Sequence, residues 1–487
     1  MALRILPRVG LALAAFLLAG PAAATAQEPL TLEQAVARAL AQSRLAETAR
    51  ANRDASRYRD NAFYSRQLPR LTLGGTVPSY NRAIIPVLQP DGSTSFRPQD
   101  QVQGELTATM SQTLPLTGGD FFVSSALSRL SVSGQQTTRT WSSTPVEVGL
   151  RQPLFRSNDN GWDRKEQPLR AEVAERQFRE AREDIALQTA NLFFDVHAAQ
   201  VALRNAEANA ATNDTLYTLN TGRYEVGRIG ENDLLQSELA LLRSRNTLDA
   251  ARLEYQRALS GLRLVLNMAP AEALAIAVST TVPDFTPDTT LAVAEALRNR
   301  SVASDAELQA VQARRRINEA RLNNGMGATV SASYGFNATG TEARSAYRNL
   351  LEARQFTLAV DIPLLQWGLR KESVQAARAD RDRVESTTRL ALDQTAQEAH
   401  FAALELVQAR RNLLLSAKAD TVALRRFDVA YNRYVIGRIA IDNLYIAQSE
   451  KDAALTQFVQ ALRGYWQAYY RLRRVTLFDF ETGNPLR

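Results

Sequence analysis

The stretch RYEVGRIGENDLLQSE at residues 223–238 has a near-copy, RYVIGRIAIDNLYIAQSE, at residues 433–450. Both copies lie between long segments of helical texture, so each marks a point where the chain reverses between two helices. Glycine suits such a point because it alone adopts positive φ without a steric penalty. Gly227 and Gly437 lie 210 residues apart in a chain of 487, which makes the protein a tandem repeat of one large unit.

Working outward, the order of textures recurs. The first repeat covers residues 27–285. A helix is expected over 31–66, where TLEQAVARAL opens a run free of Gly and Pro with apolar residues at three- and four-residue steps, capped by Thr31. Residues 68–155 then turn to β texture, with Thr/Val/Ser enrichment and Gly/Pro punctuation; the polar, proline-bearing part between Pro78 and Asp100 reads as a long loop. Two long helices follow over 163–223 and 232–267. At ~1.5 Å rise per residue the first is about 90 Å long, which requires coiled-coil packing against neighbours. The second repeat, 286–487, reads the same way: helix 289–324, strands 327–366, and long helices 367–435 and 441–476.

The two units are not equal. Ala39-Leu40 matches Ala296-Leu297 at an offset of 257 residues, whereas Pro153 matches Pro363, and Gly227 matches Gly437, at 210. The whole excess falls in the β region of the first unit. There SQTLPLTGG at 111–119 resembles the strand endings RQPLF and DIPLLQWG, so the first unit carries an additional hairpin, four strands against two. The added pair either extends a barrel or sits beside it.

Residues 1–26 have the form of a secretory signal: Arg4 and Arg8, the apolar run VGLALAAFLLAG, and Ala24-Thr25-Ala26 before a cleavage point. Beyond it charged residues interrupt every apolar segment, so a membrane could be crossed only as a closed β-barrel. The chain has no cysteine, which removes disulfides, a lipid-anchoring cysteine and thiolate metal sites. The net charge of +7 is spread along helices with many acidic partners, without the concentrated basic face that nucleic-acid binding requires. Arg471, Arg473 and Arg474 form the densest basic group and read as a helix end. His197 and His400 are the only histidines, with no Ser/His/Asp arrangement or glycine-rich phosphate loop around them. An enzyme is not indicated, and no cofactor is implied.

The opening LTLEQAVARAL, the strand-to-helix joins LRQPLFRSNDNGW and VDIPLLQWGLR, and the duplicated RYEVGRIGENDL and RYVIGRIAIDNL, all in order, resemble the TolC-like family of outer-membrane efflux proteins over essentially the whole mature chain. The resemblance implies an α+β membrane protein: a trimeric transmembrane β-barrel continued by a long antiparallel α-helical coiled-coil barrel, two internal repeats per protomer. It implies an outer-membrane channel-tunnel in a tripartite efflux or type I secretion system. The implied partners are a periplasmic membrane-fusion adaptor, an inner-membrane pump of RND or ABC type, outer-membrane lipid and two further copies of the chain, with no nucleic acid. Gly227, Arg228, Gly437 and Arg438 would form the hairpin tips where the adaptor docks.

The family closes its periplasmic entrance with acidic side chains just after these turns. Asp233 stands six residues beyond Gly227; six beyond Gly437 is Asn443, preceded by Asp442, and Ile446 occupies a position that can be acidic in the family. Asp233, Asp442 and Asn443 are therefore the candidate gate, with Arg228 and Arg438 available to pair with the carboxylates. Tyr224 and Tyr434 are expected to pack beneath the turns. Tyr465, Trp466, Tyr469 and Tyr470 are expected to brace the tunnel close to the barrel, and Trp162 and Trp367 to mark a bilayer interface. Two other readings share features with this one. A periplasmic coiled-coil adaptor or structural protein has the export signal and long helices, but one helical hairpin instead of two; a secreted α/β binding protein lacks helices of this length.

Overall fold

The computed structural model describes residues 29–134, 137–270 and 272–486. The export signal expected over residues 1–26 lies outside them. In chain order the elements are α1 (Leu32–Gln42), α2 (Arg44–Arg66), β1 (Arg70–Leu88), β2 (Thr94–Thr113), β3 (Asp120–Ser133), β4 (Thr137–Leu154), α3 (Asp159–Glu225) and α4 (Glu231–Val265). The same order then recurs with one hairpin fewer: α5 (Thr289–Asn299), α6 (Ser301–Asn323), β5 (Gly327–Gly340), β6 (Leu351–Asp361), α7 (Leu369–Val435) and α8 (Ile441–Thr476). A short ribbon of β7 (Phe478–Asp479) and β8 (Asn484–Pro485) ends the chain.

The helices α3 and α7 have 67 residues each, or ~100 Å at 1.5 Å per residue. The returning helices α4 and α8, of 35 and 36 residues, cover only about half of that length. The pairs α1–α2 and α5–α6 cover the remainder. Where these two sets meet, the main core forms around Phe193, Phe194, Leu262, Leu462 and Tyr465, all at most 5% exposed. The expectation that Tyr465, Trp466, Tyr469 and Tyr470 lie near the barrel is corrected here. Trp466 stacks on Phe194, about half-way along α3, at a centroid separation of 6.2 Å.

Two expected helices are each broken once. The run 31–66 divides at Ser43 and the run 289–324 at Arg300, both with extended backbone (ψ 151° and 153°). Neither break carries Gly or Pro; what permits it is a set of replacement partners for freed backbone groups. Ser43 Oγ accepts from Ala46 N at 3.0 Å, and Arg50 donates to the carbonyls of Leu40, at 2.8 Å, and Ala41. At the second break Arg176 donates to the carbonyls of Arg298 and Arg300 at 2.6 and 3.1 Å.

All six long strands form one antiparallel meander in the order β1-β2-β3-β4-β5-β6. The long loop expected between Pro78 and Asp100 is instead the outer half of the β1–β2 hairpin, paired as far as Leu88 with Thr94. Its prolines are tolerated because they fall where no ladder donor is needed. Pro78 lies in the bulge between Thr76 and Ser79 and Pro86 on the edge strand. Pro98 lies beyond Asp100, the last residue of β2 paired to β3 on that side. The additional hairpin thus extends the sheet and does not sit beside it.

Strand alternation gives this sheet two unlike faces. Following the register across the strands, Leu73, Leu106, Val123, Val148, Tyr334 and Phe356 share one face. Thr72, Thr109, Ser124, Glu147, Ser333 and Gln355 share the other. Among the described residues none covers the apolar face at its ends: Leu73 is 76% and Phe356 71% exposed. No helix among the described residues is long and apolar enough to cross a membrane.

Below the sheet, Asn158 caps α3 through Gly161 N and so starts that helix four residues before the expected 163, leaving Pro168 inside it. An ion cluster then ties α6 to α3. Arg315 bonds Asp163 at 2.6 Å, Glu319 at 2.7 Å and Glu166 at 3.2 Å, and Glu166 is buried. Removing one partner of a buried charge leaves the other desolvated. Arg315→Ala is therefore expected to cost about 3 kcal/mol, read as a lowered thermal midpoint, and Glu166→Gln in the same chain is expected to restore part of the loss.

Candidate functional site at the helical hairpin tips

Both repeated turns end a long helix in the same way. At the end of α3, Gly227 has φ +69° and its N–H donates to the Tyr224 carbonyl, while Arg228 N–H donates to the Arg223 carbonyl, each at 2.8 Å. At the end of α7, Gly437 has φ +75°, with the matching bonds from Gly437 to Tyr434 and from Arg438 to Arg433, again at 2.8 Å. This paired closure satisfies the last carbonyls and turns the chain into the next helix. A Cβ at either glycine would meet nothing within 4 Å, so the requirement is one of backbone conformation and not of space.

The two tips are joined to each other. Leu216, Tyr434, Ile441 and Leu444 form a second, separate core, with Phe427 and Tyr445 packed against it. Tyr434 donates its hydroxyl to Asn220 Oδ1 at 2.6 Å. Burial raises the Tyr434 phenol above its ordinary value, so it remains a donor at physiological pH. Arg223 lies 5.2 Å from the Tyr434 ring centroid and donates to the Val435 carbonyl at 2.8 Å, bridging from α3 to the end of α7. On the returning helices, Gln236 of α4 donates to Asp442 Oδ1 of α8 at 2.5 Å.

The expected site residues divide accordingly. Arg228, Arg438, Asp442 and Asn443 are exposed at the tip, and Asp233 is half-buried. Among the described residues neither arginine forms an ion pair with the Asp233 or Asp442 carboxylate; Asp442 takes its hydrogen bond from Gln236 instead. Tyr434 packs beneath its turn as expected, but its counterpart Tyr224 is 42% exposed. Asn220, Arg223 and Gln236 were not anticipated. Arg223 was open to detection, since it begins the repeated motif, but its cross-repeat partner is invisible in one dimension. His197 packs against Phe194, and burial together with Arg204 holds its pKa below the ordinary value. Among the described residues no group of three or more His, Cys, Asp and Glu is placed to hold a metal.

A sequence model of the outer membrane efflux protein family matches residues 99–268. No curated protein matches the chain in sequence. Among solved structures, the chain is similar to the CmeC outer membrane channel of Campylobacter jejuni, with a TM-score of 0.68 at 14% identity over 93% of this chain and 86% of that one. The fold is that of an outer-membrane channel. Similar values hold for the outer membrane protein VceC of Vibrio cholerae (TM-score 0.65, 13% identity, 94% of this chain and 97% of that one). They hold too for the open state of the Neisseria gonorrhoeae MtrE outer membrane channel (TM-score 0.64, 14% identity, 94% and 89%). The TolC-like resemblance drawn from the repeated turn therefore holds. With it holds the expected α+β fold, long strands continued by very long antiparallel helices in two internal repeats.

The joined tips generate an asymmetric expectation. Tyr434→Phe leaves the buried Asn220 oxygen without a donor and is expected to cost about 1–3 kcal/mol, whereas Tyr224→Phe leaves the thermal midpoint unchanged. Gly227→Ala and Gly437→Ala each place a Cβ on left-handed backbone and are expected to cost about 1–2 kcal/mol, measured in the same way.

Proposed function

We propose that three copies of the chain form a duct in the outer membrane whose helical part lies in the periplasm. The duct carries small molecules or proteins from an inner-membrane pump of RND or ABC type to the exterior. The observation that carries this reading is the two-faced sheet running directly into ~100 Å helices. An apolar outer face suits lipid and a polar inner face suits a water-filled passage. A periplasmic coiled-coil adaptor would share the helices but would have no use for so large an exposed apolar face.

The tips around Gly227, Arg228, Gly437 and Arg438 are the docking points for a periplasmic membrane-fusion adaptor. Two tips per chain give six in a trimer, a collar suited to a ring of adaptors. Asp233, Asp442 and Asn443 close the inner end. Support for this comes from the first turns of α4 and α8, which present these side chains at the far end of the molecule from the sheet. Arg228 and Arg438, exposed and unpaired with those carboxylates in their own chain, are free to reach the carboxylates of the next copy.

Single-channel recording in planar lipid bilayers tests both parts. The wild type is expected to show a small, cation-preferring conductance that rises several-fold in the Asp233→Ala, Asp442→Ala double variant. A channel indifferent to both substitutions contradicts the gate. Protein that is soluble without detergent and forms no channel contradicts the duct.

A further inference from the structure

The additional hairpin changes the size of the passage, an inference that rests on the duct reading above. Had the two repeats been equal, each chain would bring two hairpins, or four strands, and three chains would close twelve. The structure instead places β1 and β2 in the same sheet as the other four strands. β2 pairs with β3 along the whole of β3, from Asp100 with Ser133 to Thr113 with Asp120, without a register shift.

The hairpin also carries the chemistry of a barrel wall. The apolar face continues onto it without a break, Leu71 facing beside Met110 and Leu73 beside Ala108, in line with Val123 and Val148. The polar face continues too, through Thr72 and Thr109. A flap lying in water outside the wall would not need this alternation. Every one of the six strands is long enough to cross a bilayer: β6, the shortest, has 11 residues, against the ~9–11 that a tilted strand requires.

The base of the hairpin is fixed at the level where strands become helices. Asn158 Nδ2, at the start of α3, donates to the carbonyls of Pro115 and Leu116 at 3.0 and 3.1 Å, and Gln152 donates to the Thr117 carbonyl at 2.9 Å. The additional turn at 114–119 is thus held against the top of the helical section.

Two edges remain, β1 and β6. They run antiparallel to each other because the strand count is even, and both carry apolar side chains on the same face, Leu71 and Leu73 on one, Leu358 and Val360 on the other. We propose that β6 of each copy pairs with β1 of the next, so that six strands from each of three copies close one barrel of eighteen. With strands ~4.7 Å apart and tilted ~40°, eighteen strands give a backbone diameter of about 35 Å, against about 24 Å for twelve. Barrels of this strand number leave an open aqueous channel. The membrane segment is therefore not the narrow point of this duct, and it admits bulkier cargo than a barrel built from two equal repeats.

Electron cryo-microscopy of the full-length protein in lipid nanodiscs counts the strands directly. Eighteen strands in one closed wall is the expected result. A twelve-stranded trimer with the β1–β2 hairpin outside the wall overturns the inference while leaving the duct intact, and a particle without a shared barrel overturns both. An independent readout uses the absence of native cysteine. Leu71→Cys or Leu73→Cys is combined with Leu358→Cys or Val360→Cys, and the four double variants are oxidised in membranes. A covalent trimer band in at least one of them is expected; monomer in all four contradicts the β6-to-β1 junction.

Discussion

The structure depends on a sheet that one chain cannot complete. Its two outer strands present a row of unpaired backbone groups, and one of its faces presents leucine, valine and phenylalanine to the surroundings. In lipid each unpaired backbone group costs several kcal/mol. Side-chain changes cannot remove that cost; only closure can, and a six-stranded sheet with polar side chains on its inner face closes around water only when copies are added. In the proposed duct, three copies would satisfy the edges, give the apolar face to lipid and leave the polar face to the passage. The helices follow the same logic, since rods of 67 residues need lateral neighbours along their whole length.

Below the sheet, the helices would continue the proposed ring inward. The chain covers each ~100 Å helix with two shorter partners end to end, a returning helix on one half and a broken pair on the other. The largest core lies where these halves meet, and a smaller core locks the tips. Between them the helical walls are held by polar contacts, such as Asn205 and Asn209 donating to the Asp452 carboxylate. The tips are consequently a unit of their own, joined across the repeats by Tyr434 with Asn220 and by Gln236 with Asp442.

Much of this was legible before any coordinates. The two glycine turns, the long helices between them, the unequal β regions and the sixth strand all follow from repeat offsets and texture. What was not legible has specific causes. The breaks at Ser43 and Arg300 carry no Gly or Pro; they are stabilised by Arg50 and Arg176, which only the fold brings to the freed carbonyls. Residues 78–100 look like a loop because of their prolines, and they are strand because they lie on an edge or beyond their neighbour's end. At the tips, glycine and arginine were evident, but the partner of Arg223 lies in the other repeat, and the Asp442 carboxylate faces Gln236 and not an arginine of its own chain.

The central claim is that a closed sheet requires several chains, and the mass of the detergent-extracted particle tests it most directly. Light scattering coupled to size-exclusion chromatography is expected to give three chains per particle, stable on dilution. A monodisperse single chain, folded and soluble with its sheet edges open, would contradict the account.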